Sequence, residues 1–594
     1  MSNDLGIDRS GNGNNWTVNN MAFADQVVDS PTNNFATLNP LTKRPAANGI
    51  LSEGNLSFKS QTGDSTVFAT MGILPDQKIY FEVYLQANSN QNFIGISPDY
   101  DNGDGDFDKV GVAYGRKVRG GATVQQYYNG GGDSSGTDLS VNNQAVGTVV
   151  GVAVDNENGQ IHYAFNNSWD SDATDNNPAA DVTGFDTTVT QFPKISLDTP
   201  DNTAWDYLNF GQDSSFAGNK TAQGNQDGNE IGDFYYTPPS GYLALCTKNL
   251  PDVDVVPSEN FNAQYWSGDS SGDESFTTGF QPDWVWFSVR SLNASHEMVD
   301  SVRGATKGLM SDTDGAEYTD AEGLQSFDSN GFSLGTNSGG YNRTGRTYVA
   351  RSWKAGGTAV SNTDGSITST VSANVDTGFS IVGYTGNGSD GATVGHGLSS
   401  APDMVIVKSR DSAHHWSVGH TSLGTNEVVL LSTNSAKSNC VTGFTGGGVG
   451  ARGASTFTLE AGTSNANNVN TNNEGFIAYC FHSVDGYSKV GSYTGNGSTD
   501  GTFVYTGFRP AFVLTKCSSH GSYGSMTNNK TLGYNPDNNE LYAGLAQGEA
   551  TSDSLDYLAN GFKMRRTSGE DNGSSKTYIY IAFAETPFKY SNAR

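Results

Sequence analysis

Three copies of one pattern, spaced by about the length of a domain, constrain the fold of this chain most. In each copy, a loop rich in Gly, Asn and Ser with an aromatic residue leads to a proline and then to a short run of β-forming residues. The prolines, Pro282, Pro402 and Pro510, lie 120 and 108 positions apart. Solenoid units repeat every ~20–50 residues, so this period is domain-sized. The pattern predicts an array of similar β-domains, and such arrays usually have a binding or a structural role.

Each copy ends on a segment rich in aromatic residues, at 347–353, 476–481 and 578–583. We expect each proline to stand at the start of its strand, where the missing N–H costs least. The bulky residues that follow would then pack between two sheets of a sandwich. The sequence therefore predicts three tandem β-sandwich-like repeats, at residues 261–374, 375–484 and 485–594.

The composition favours strands and turns over helices. The 74 glycines, with many Asn, Ser, Thr and Asp, suit turns, while the helix-favouring Lys, Arg and Glu are sparse. Aromatic residues make up 11% of the chain, too many for a disordered one. The formal net charge of −29 and the lack of a Lys/Arg cluster argue against a nucleic-acid partner. Such acidity suits saline surroundings, where salt screens like charges, and simple solubility explains it equally well.

Cysteines and the N-terminus bear on the compartment. The four cysteines, Cys246, Cys440, Cys480 and Cys517, are too scattered for a disulfide framework, and without a CxxC motif we expect no thiolate metal site. The first residues have neither the basic nor the apolar region of a secretory signal, and no apolar run is long enough to span a bilayer. A composition typical of extracellular proteins without an export signal fits proteins released by cell lysis, such as virion components.

The chain before the repeats divides into an extended arm, a region of short strands and a linker, at residues 1–50, 51–246 and 247–260. The arm is polar and irregular, and the linker carries two prolines without periodicity. Within the strand region, residues 149–154 form an apolar run, and Asn158-Gly159 after it signals a hairpin.

Four segments of this region read Tyr-Phe-Glu-Val at 80–83, Gly-Ile-Ser at 95–97, Gly-Val-Ala-Val-Asp at 151–155 and Pro-Ser-Gly-Tyr-Leu-Ala-Leu at 239–245. These segments resemble the strand motifs of the SPRY family. The resemblance covers residues 51–246 and implies a two-sheet, concanavalin-like antiparallel sandwich used for recognition rather than catalysis. Long insertions of Asp, Asn and Gly depart from the family pattern, so the binding specificity of its loops is not transferred to this chain.

Other segments point to a virion. Residues 283–286, 298–309 and 347–357, the closing residues 582–594 and the opening residues 8–40 are similar to those of tail-fibre-type proteins of marine bacteriophages. The resemblance implies a homotrimer in the virion tail, assembled in the host cytoplasm and released by lysis. It also implies contact with other tail proteins and with a polysaccharide or protein receptor on the host surface, without nucleic-acid binding or membrane insertion.

The densest acidic cluster interleaves five aspartates with Gly and Asn, and its members are Asp99, Asp101, Asp104, Asp106 and Asp108. Alternating carboxylates can wrap Ca²⁺, which takes about six to eight oxygen ligands. No Glu closes the loop as in an EF-hand, and no flanking helices are expected. The cluster is a candidate Ca²⁺ site, the alternative is a solvated loop, and the sequence indicates no other cofactor.

Histidines recur at one loop position of the repeats. His414, His415 and His420 lie close together in the second repeat, and His296 and His520 stand in the corresponding loops of the other two. A metal site or a catalytic base is one interpretation. Packing, or a position at a trimer axis, is the other.

Aromatic residues in polar loops are candidates for glycan contacts, because rings stack on sugar faces while Asn, Asp and Gly supply hydrogen bonds. The candidates are Tyr127, Tyr128 and Trp169, with Trp205 as a further one. A core position in a β-sandwich is the alternative for each of them. For Trp284 and Trp286 we expect the core.

The predicted function is non-catalytic adhesion of a bacteriophage tail fibre or spike to the host surface, with a glycan as the expected receptor. GxSxG, HExxH and Walker motifs are missing, so nothing in the sequence marks an enzyme. Two alternatives stay open. One is a decoration protein of capsid or tail, such as a head fibre, without a receptor role, and the other is a polysaccharide depolymerase whose acid pair is set in space rather than in sequence.

Overall fold

The fold divides at the middle of the predicted linker. A computed structural model of the chain forms two compact units, Met1–Pro251 and Asp252–Arg594, called here the N-terminal and C-terminal units. The structure describes residues 6–7, 12–15, 17–19, 27–30, 32–43, 48–61, 63, 65–86, 91–98, 114–119, 124–129, 137–142, 144–169, 182–198, 205–272, 274–336, 339–441, 447–460, 469–528 and 535–591.

Regular structure in these residues consists of β-strands and short 3₁₀ turns, the latter at Pro40–Thr42, Glu53–Asn55, Pro257–Glu259 and Phe588–Tyr590. The predicted all-β class is therefore confirmed. Across the described ranges, no helix has the length and apolarity needed to cross a membrane.

The described residues of the N-terminal unit form fifteen strands: β1 Gly49–Ser52, β2 Ser57–Ser60, β3 Ser65–Phe68, β4 Lys78–Tyr84, β5 Gln91–Ser97, β6 Tyr114–Arg119, β7 Val124–Asn129, β8 Thr137–Asn142, β9 Val149–Asp155, β10 Gln160–Phe165, β11 Ser168–Trp169, β12 Val182–Thr183, β13 Phe192–Asp198, β14 Asp206–Asn209 and β15 Leu243–Ala244. One sheet has the order β1-β2-β14-β4-β9-β10-β11, with β12 beside β10 and β15 parallel to β4. The second has the order β3-β13-β5-β6-β7-β8.

The two sheets pack face to face as a sandwich. Tyr163 of β10 reaches across the core and donates a hydrogen bond from its hydroxyl to the carbonyl of Ile94 in β5, at 2.8 Å. The β9–β10 hairpin forms where Asn158-Gly159 predicts it, and Gly159 takes the left-handed φ of +67° that the turn needs. β9 is buried along its whole length because both of its faces are covered.

Part of the N-terminal arm docks on this sandwich. Phe35 forms a β-bridge with Cys246 and Leu38 forms one with Ala69, and both Phe35 and Leu38 are buried. The backbone around residue 36 is held further by Gln212, whose side-chain amide donates to the Ala36 carbonyl at 2.7 Å. These contacts make residues 35–38 part of the core.

The C-terminal unit contains the other strands: β16 Phe261–Ser267, β17 Glu274–Thr277, β18 Trp284–Val289, β19 Glu297–Asp300, β20 Lys307–Met310, β21 Tyr318–Thr319, β22 Leu324–Asp328, β23 Gly331–Leu334, β24 Thr347–Trp353, β25 Val360–Asn362, β26 Ser369–Asn374, β27 Phe379–Thr385, β28 Ala392–Gly395, β29 Met404–Ser409, β30 Ser417–His420, β31 Glu427–Leu430, β32 Ser438–Asn439, β33 Gly448–Arg452, β34 Thr456–Glu460, β35 Gly475–Phe481, β36 Ser488–Thr494, β37 Phe503–Tyr505, β38 Phe508–Cys517, β39 Ser525–Asn528, β40 Asp537–Tyr542, β41 Ala550–Leu558, β42 Gly561–Met564 and β43 Thr577–Pro587.

The three repeats share one strand plan. In each, the strand that follows or contains the proline pairs with the repeat's aromatic terminal strand, as β18 with β24, β29 with β35 and β38 with β43. Repeats 1 and 2 add a separate three-stranded sheet, β17-β23-β22 and β28-β34-β33. In repeat 3 the strands form one continuous sheet of the order β36-β43-β38-β39-β40-β41-β42-β37.

One proline departs from the expected position at a strand start. Pro282 and Pro402 precede their strands, but Pro510 lies inside β38. The register of β38 against β43 shifts on both sides of Pro510, so the proline occupies a β-bulge. A bulge tolerates proline because the ladder hydrogen bond is already interrupted there.

The repeats also share one hydrophobic core. A single cluster of buried side chains runs from Val255 to Phe583 and takes residues from all three repeats. At the same register position of the three terminal strands stand Trp353, Phe481 and Phe583, opposite Trp284, Met404 and Phe512. Each repeat has in addition a smaller core of its own.

Phe583 lies where aromatic rings of the three repeats meet. Its ring centroid is 5.4 Å from those of Phe261 and Trp353 in repeat 1 and 5.9 Å from that of Phe481 in repeat 2. Such pairs add stability beyond the area they bury. The interior faces of the repeats are therefore not independent surfaces.

A second link between repeats is polar. The last residues of β19, β30 and β39 each contact the terminal strand of the next repeat. Asp300 accepts a hydrogen bond from the Tyr479 hydroxyl at 2.8 Å, and His420 Nε2 lies 3.5 Å from the Tyr580 carbonyl. Asn528 Oδ1 accepts a hydrogen bond from Arg351 Nε at 3.2 Å. These contacts run from repeat 1 to 2, from 2 to 3 and from 3 back to 1. The C-terminal unit is thus closed on itself by pseudo-threefold contacts.

Residues 252–260 of the predicted linker belong to this closed unit. Val255 is buried in the shared core, and the turn Pro257–Glu259 leads directly into β16. The repeat boundaries given by the sequence stay predictions, since the shared core joins the three segments.

Truncation of Phe583 tests the shared core. Phe583→Ala removes ring contacts with all three repeats, and we expect it to lower the unfolding free energy of the C-terminal unit by about 3–5 kcal/mol. Val360→Ala, at an edge-strand position that is 65% exposed, is the control and should cost less than about 0.5 kcal/mol. Denaturant unfolding of the full chain measures both. A loss confined to repeat 3, with repeats 1 and 2 unfolding at their original midpoint, would contradict a shared core.

Candidate functional site

The N-terminal unit carries a cleft of about 940 Å³ at one end of its larger sheet. The turn before β4, the end of β9 and the start of β10 form its floor, and residues 239–243 and 249–251 form its other wall. Its polar and aromatic lining residues are Asp76, Gln77, Lys78, Asp155, Gln160, His162, Ser240, Tyr242 and Asn249. A volume of this size lies in the range of small-molecule sites, about 300–1,000 Å³, and the lining of this cleft is more polar than is usual for them.

An ion pair lies on the floor of the cleft. Lys78 Nζ is 2.9 Å from Asp155 and 3.1 Å from Glu157. Burial would raise the pKa of Asp155, but hydrogen bonds from Asn158 and Lys78 lower it below its ordinary value. The hydrogen bond with Asp155 raises the pKa of Lys78. At neutral pH both groups are charged, and their charges offset each other.

Tyr242 and His162 supply an aromatic wall. Their rings meet edge to face, with centroids 6.4 Å apart and an interplanar angle of 88°. Burial raises the pKa of Tyr242 to about 12, so its hydroxyl stays neutral and able to donate or accept a hydrogen bond. His162 lies in β10 and is positioned by the β9–β10 pairing.

Asp227 fixes the wall opposite the floor. One of its carboxylate oxygens accepts hydrogen bonds from the backbone N–H of Ala244 and from the side-chain amide of Asn249, both at 2.8 Å. The other oxygen accepts from the backbone N–H groups of Asn229 and Ile231. The carboxylate thereby joins β15 to two loop segments, and the cleft is preorganised by a side chain that lies behind it.

Glu82 holds a further loop against β4. It is fully buried, and its two oxygens accept hydrogen bonds from the Tyr80 hydroxyl, the Asn209 amide and the backbone N–H groups of Tyr235 and Tyr236. Burial raises the pKa of Glu82 to about 7, although the four hydrogen bonds act to lower it. In the sequence, Glu82 is the one acidic residue inside the apolar run Ile79–Leu85. A carboxylate inside such a strand is itself a signal of a buried hydrogen-bond network.

The residues predicted to bind ligands are not among those that line the cleft. Asp99, Asp101, Asp104, Asp106 and Asp108 all lie outside the described residues, as does any Ca²⁺ site they would form. Tyr127 and Tyr128 belong to β7, opposite Arg116 and Gly115 of β6, and only their backbone is described. Trp169 is half-buried and packs beside Tyr80, with ring centroids 6.4 Å apart. Trp205 is half-buried as well, and Lys59 Nζ lies 4.6 Å from its ring centroid.

The histidines take different positions. His296 and His420 are buried between repeats, where His296 Nε2 is 3.1 Å from the Leu545 carbonyl. His414 Nε2 is 3.3 Å from Glu474, and His415 Nδ1 is 3.1 Å from the Ser432 hydroxyl. His520 is exposed. Within the described residues, no three or more His, Cys, Asp or Glu side chains are grouped to hold a metal. His296 and His420 therefore pack, while Trp284 and Trp286 lie in the core as expected.

Buried histidine gives the C-terminal unit a pH dependence. Burial lowers the pKa of His420 to about 4. Below pH 6.5 the imidazole of His420 takes up a proton in the unfolded chain but stays neutral in the folded unit. The free energy of unfolding therefore falls as the pH drops towards 4, by at most about 3 kcal/mol. We expect His420→Gln to lose this part of the pH dependence. Unfolding free energies of wild type and variant between pH 8 and 4 measure it, and parallel curves would contradict a neutral buried imidazole.

Removal of Asp227 should loosen the cleft wall. Asp227→Ala leaves the backbone N–H of Ala244 without its acceptor, while the Asn249 amide keeps only its bond to the Ala244 carbonyl, and we expect a loss of about 1–3 kcal/mol in the N-terminal unit. Exchange of the Ala244 amide with deuterium should accelerate accordingly. Lys248→Ala, an exposed position in the same segment, is the control. Unchanged protection of Ala244 in Asp227→Ala would show that the carboxylate does not hold the wall.

Comparison with known proteins identifies a family for the C-terminal unit. A family model described as a domain of unknown function, DUF7483, matches residues 256–587, which is more than half of the chain. The chain therefore belongs to this family. No curated protein matches the chain in sequence.

Solved structures with some similarity to the chain are β-proteins. The SPRY domain of human HERC1 is 12% identical with a TM-score of 0.20, covering 29% of this chain and 96% of that one. The carbohydrate-binding module CBM66 from Bacillus subtilis is 11% identical with a TM-score of 0.19, covering 27% and 86%. Domains LG4-5 of the mouse laminin alpha1 chain are 9% identical with a TM-score of 0.15, covering 87% and 97%. Scores this low carry no argument about function.

Proposed function

We propose that this chain is a non-catalytic adhesion protein that binds a neutral polysaccharide in the cleft of its N-terminal unit. The observation that carries the proposal is the cleft itself, a preformed cavity in which hydrogen-bonding side chains of both kinds face one space. Sugar hydroxyls both donate and accept, and they need such a mixed lining. The apolar walls at Pro75, Pro239 and Pro251 suit the C–H faces of sugar rings.

The charges of the cleft favour a neutral ligand. The positive charge of Lys78 is offset by Asp155 and Glu157, both within 3.1 Å. A polyanion would have to displace these carboxylates and would meet a chain of net charge −29. A neutral glycan can hydrogen-bond to both members of the pair without breaking it.

The protonation state of the cleft supports binding rather than cleavage. Glycoside hydrolysis needs one carboxyl group that stays protonated near neutral pH to protonate the leaving oxygen. The pKa of Asp155 is shifted in the opposite direction, below its ordinary value. A side chain in this state positions a hydroxyl by accepting its hydrogen bond.

The biological setting that we propose is the tail of a bacteriophage virion, as the resemblance to marine phage tail-fibre-type proteins implies. There the chain would act as a homotrimer attached to other tail proteins and would be released by lysis of the host. Three copies of a weak glycan site on one fibre give an avidity far above that of a single site. The closed C-terminal unit would serve as a rigid module of such a fibre.

Substitutions in the cleft test the proposal. Affinity electrophoresis through gels containing purified host-surface polysaccharide should retard the wild type, and Lys78→Gln and Gln160→Ala should each weaken binding about tenfold, or ~1.4 kcal/mol. Lys437→Gln removes a comparable exposed ion pair, with Glu427 at 2.8 Å in the C-terminal unit, and should bind as the wild type does.

Two results would count against the proposal. Equal retardation of the wild type and both cleft variants would place binding elsewhere. New reducing ends after incubation of the protein with the polysaccharide would show cleavage, in favour of a depolymerase.

A further inference from the structure

A cluster of tyrosines lies at the opposite end of β4 from the cleft. We call it the tyrosine platform, and it consists of Tyr84, Tyr207, Phe216, Tyr235 and Tyr236. Tyr207, Tyr235 and Tyr236 are half-buried, so part of each side chain faces solvent. A tyrosine combines an apolar ring with a polar hydroxyl, and such side chains are enriched at binding interfaces.

The rings are arranged as a connected surface. The ring centroid of Tyr84 is 6.2 Å from that of Tyr207 and 5.6 Å from that of Phe216, and the centroid of Phe216 is 6.0 Å from that of Tyr235. Tyr235 and Tyr236 meet edge to face at 4.9 Å. Neighbouring rings thus hold one another in place before any ligand arrives.

The backbone around Phe216 is held in a conformation that side chains rarely adopt. Phe216 and Ala217 both have left-handed φ angles, +50° and +56°. Asp213 stabilises the turn, since its carboxylate accepts hydrogen bonds from the backbone N–H groups of Ser215 and Ala217 at 2.8 and 2.7 Å. This turn seats the Phe216 ring between Tyr84 and Tyr235, and a strained backbone that the surroundings maintain is common at ligand sites.

Polar groups border the rings. The Gln86 side-chain amide donates to Asn219 Oδ1 at 3.1 Å, and Lys220 Nζ lies 4.8 Å from the centroid of the Tyr84 ring while donating to the Gly147 carbonyl at 3.1 Å. The ammonium group thus lies beside Tyr84 and, at 6.0 Å from its ring centroid, Tyr235, and the half-buried rings of Tyr207 and Tyr236 lie outside this contact. Amide groups beside partly exposed aromatic rings suit sugar hydroxyls next to C–H faces.

The charge around the platform narrows the ligand further. The ammonium group of Lys220 already makes a cation–π contact with the Tyr84 ring and a hydrogen bond to the Gly147 carbonyl. The chain as a whole carries a net charge of −29. A polyanion such as nucleic acid needs a basic surface, and none is present among these residues. Burial raises the pKa of Tyr207, and the charges of Glu53 and Asp206 raise it further, so carboxylates lie near the platform and disfavour an anion. The ligand class that fits partly exposed aromatic rings and amides in this setting is an uncharged sugar.

We infer that the tyrosine platform is a second binding subsite for the same neutral polysaccharide that occupies the cleft. The inference rests on the proposed function of the cleft. β4 begins at Lys78 in the cleft and ends at Tyr84 in the platform, so the two sites are about 20 Å apart along one strand. Neighbouring segments of a polymer can occupy both sites, whereas a disaccharide reaches only one.

A comparison of polysaccharide binding with disaccharide binding distinguishes the platform from the cleft. We measure binding of the soluble host-surface polysaccharide and of a disaccharide cut from it, using the full chain. Tyr207→Ala and Tyr236→Ala should each weaken polymer binding about five- to tenfold. Tyr236→Phe keeps the ring and should lose less than twofold. Tyr590→Ala, an exposed tyrosine of the C-terminal unit that is 54% accessible, is the control and should bind as the wild type does.

The outcomes distinguish this inference from the proposed function. Polymer binding that weakens in the platform variants, while disaccharide binding at the cleft persists, supports the second subsite. Polymer binding that weakens only in Lys78→Gln and Gln160→Ala overturns the subsite and leaves the proposed function intact. Unfolding midpoints of Tyr207→Ala and Tyr236→Ala show which variant is folded. One folded variant of the two is enough for the binding comparison.

Discussion

The aromatic contacts at Phe583 are the interaction on which the C-terminal unit depends. Three strands from three repeats present a large aromatic residue at one register position, and these rings meet in one interior. No repeat can bury that interior face alone, because each supplies only about a third of it. The polar contacts made by Asp300, His420 and Asn528 then fix which repeat follows which around the core. The three repeats thus form one module with a shared core rather than a string of three.

The N-terminal unit is organised by buried carboxylates instead. Glu82 and Asp227 each accept four hydrogen bonds, which come partly from the strand residues Tyr80, Asn209 and Ala244 and partly from loops. Glu82 anchors Tyr235 and Tyr236 at one end of β4, and Asp227 holds the cleft wall beside its other end. Unpaired donors in such places would be costly, so each carboxylate specifies a single loop arrangement. The two candidate binding surfaces are therefore supported by the strand they share and by the acids packed around it.

Local features of the fold could be predicted from the sequence, and its long-range features could not. Asn158-Gly159 marks a hairpin because few residues accept a left-handed φ, and Pro282 and Pro402 mark strand starts because they lack an N–H. The sequence pattern cannot distinguish three separate sandwiches from three repeats with a shared core. A buried aromatic residue such as Trp353 or Phe583 would occur at the same sequence position in either arrangement. Pro510 shows the same limit, because a bulge is set by the partner strand. The cleft joins segments from residue 75 to 251, and its key acid, Asp227, lies in a loop among many similar Asp, Asn and Gly residues.

Native-state hydrogen exchange of the full chain tests the shared core most directly, with β24, β35 and β43 as the reporters. If the three repeats unfold as one unit, the slowest amides of these strands exchange with the same free energy, which equals the global unfolding free energy of residues 252–594. A destabilising substitution in any one repeat then lowers all three values equally. Three separate free energies, each altered only by substitutions in its own repeat, would contradict the account.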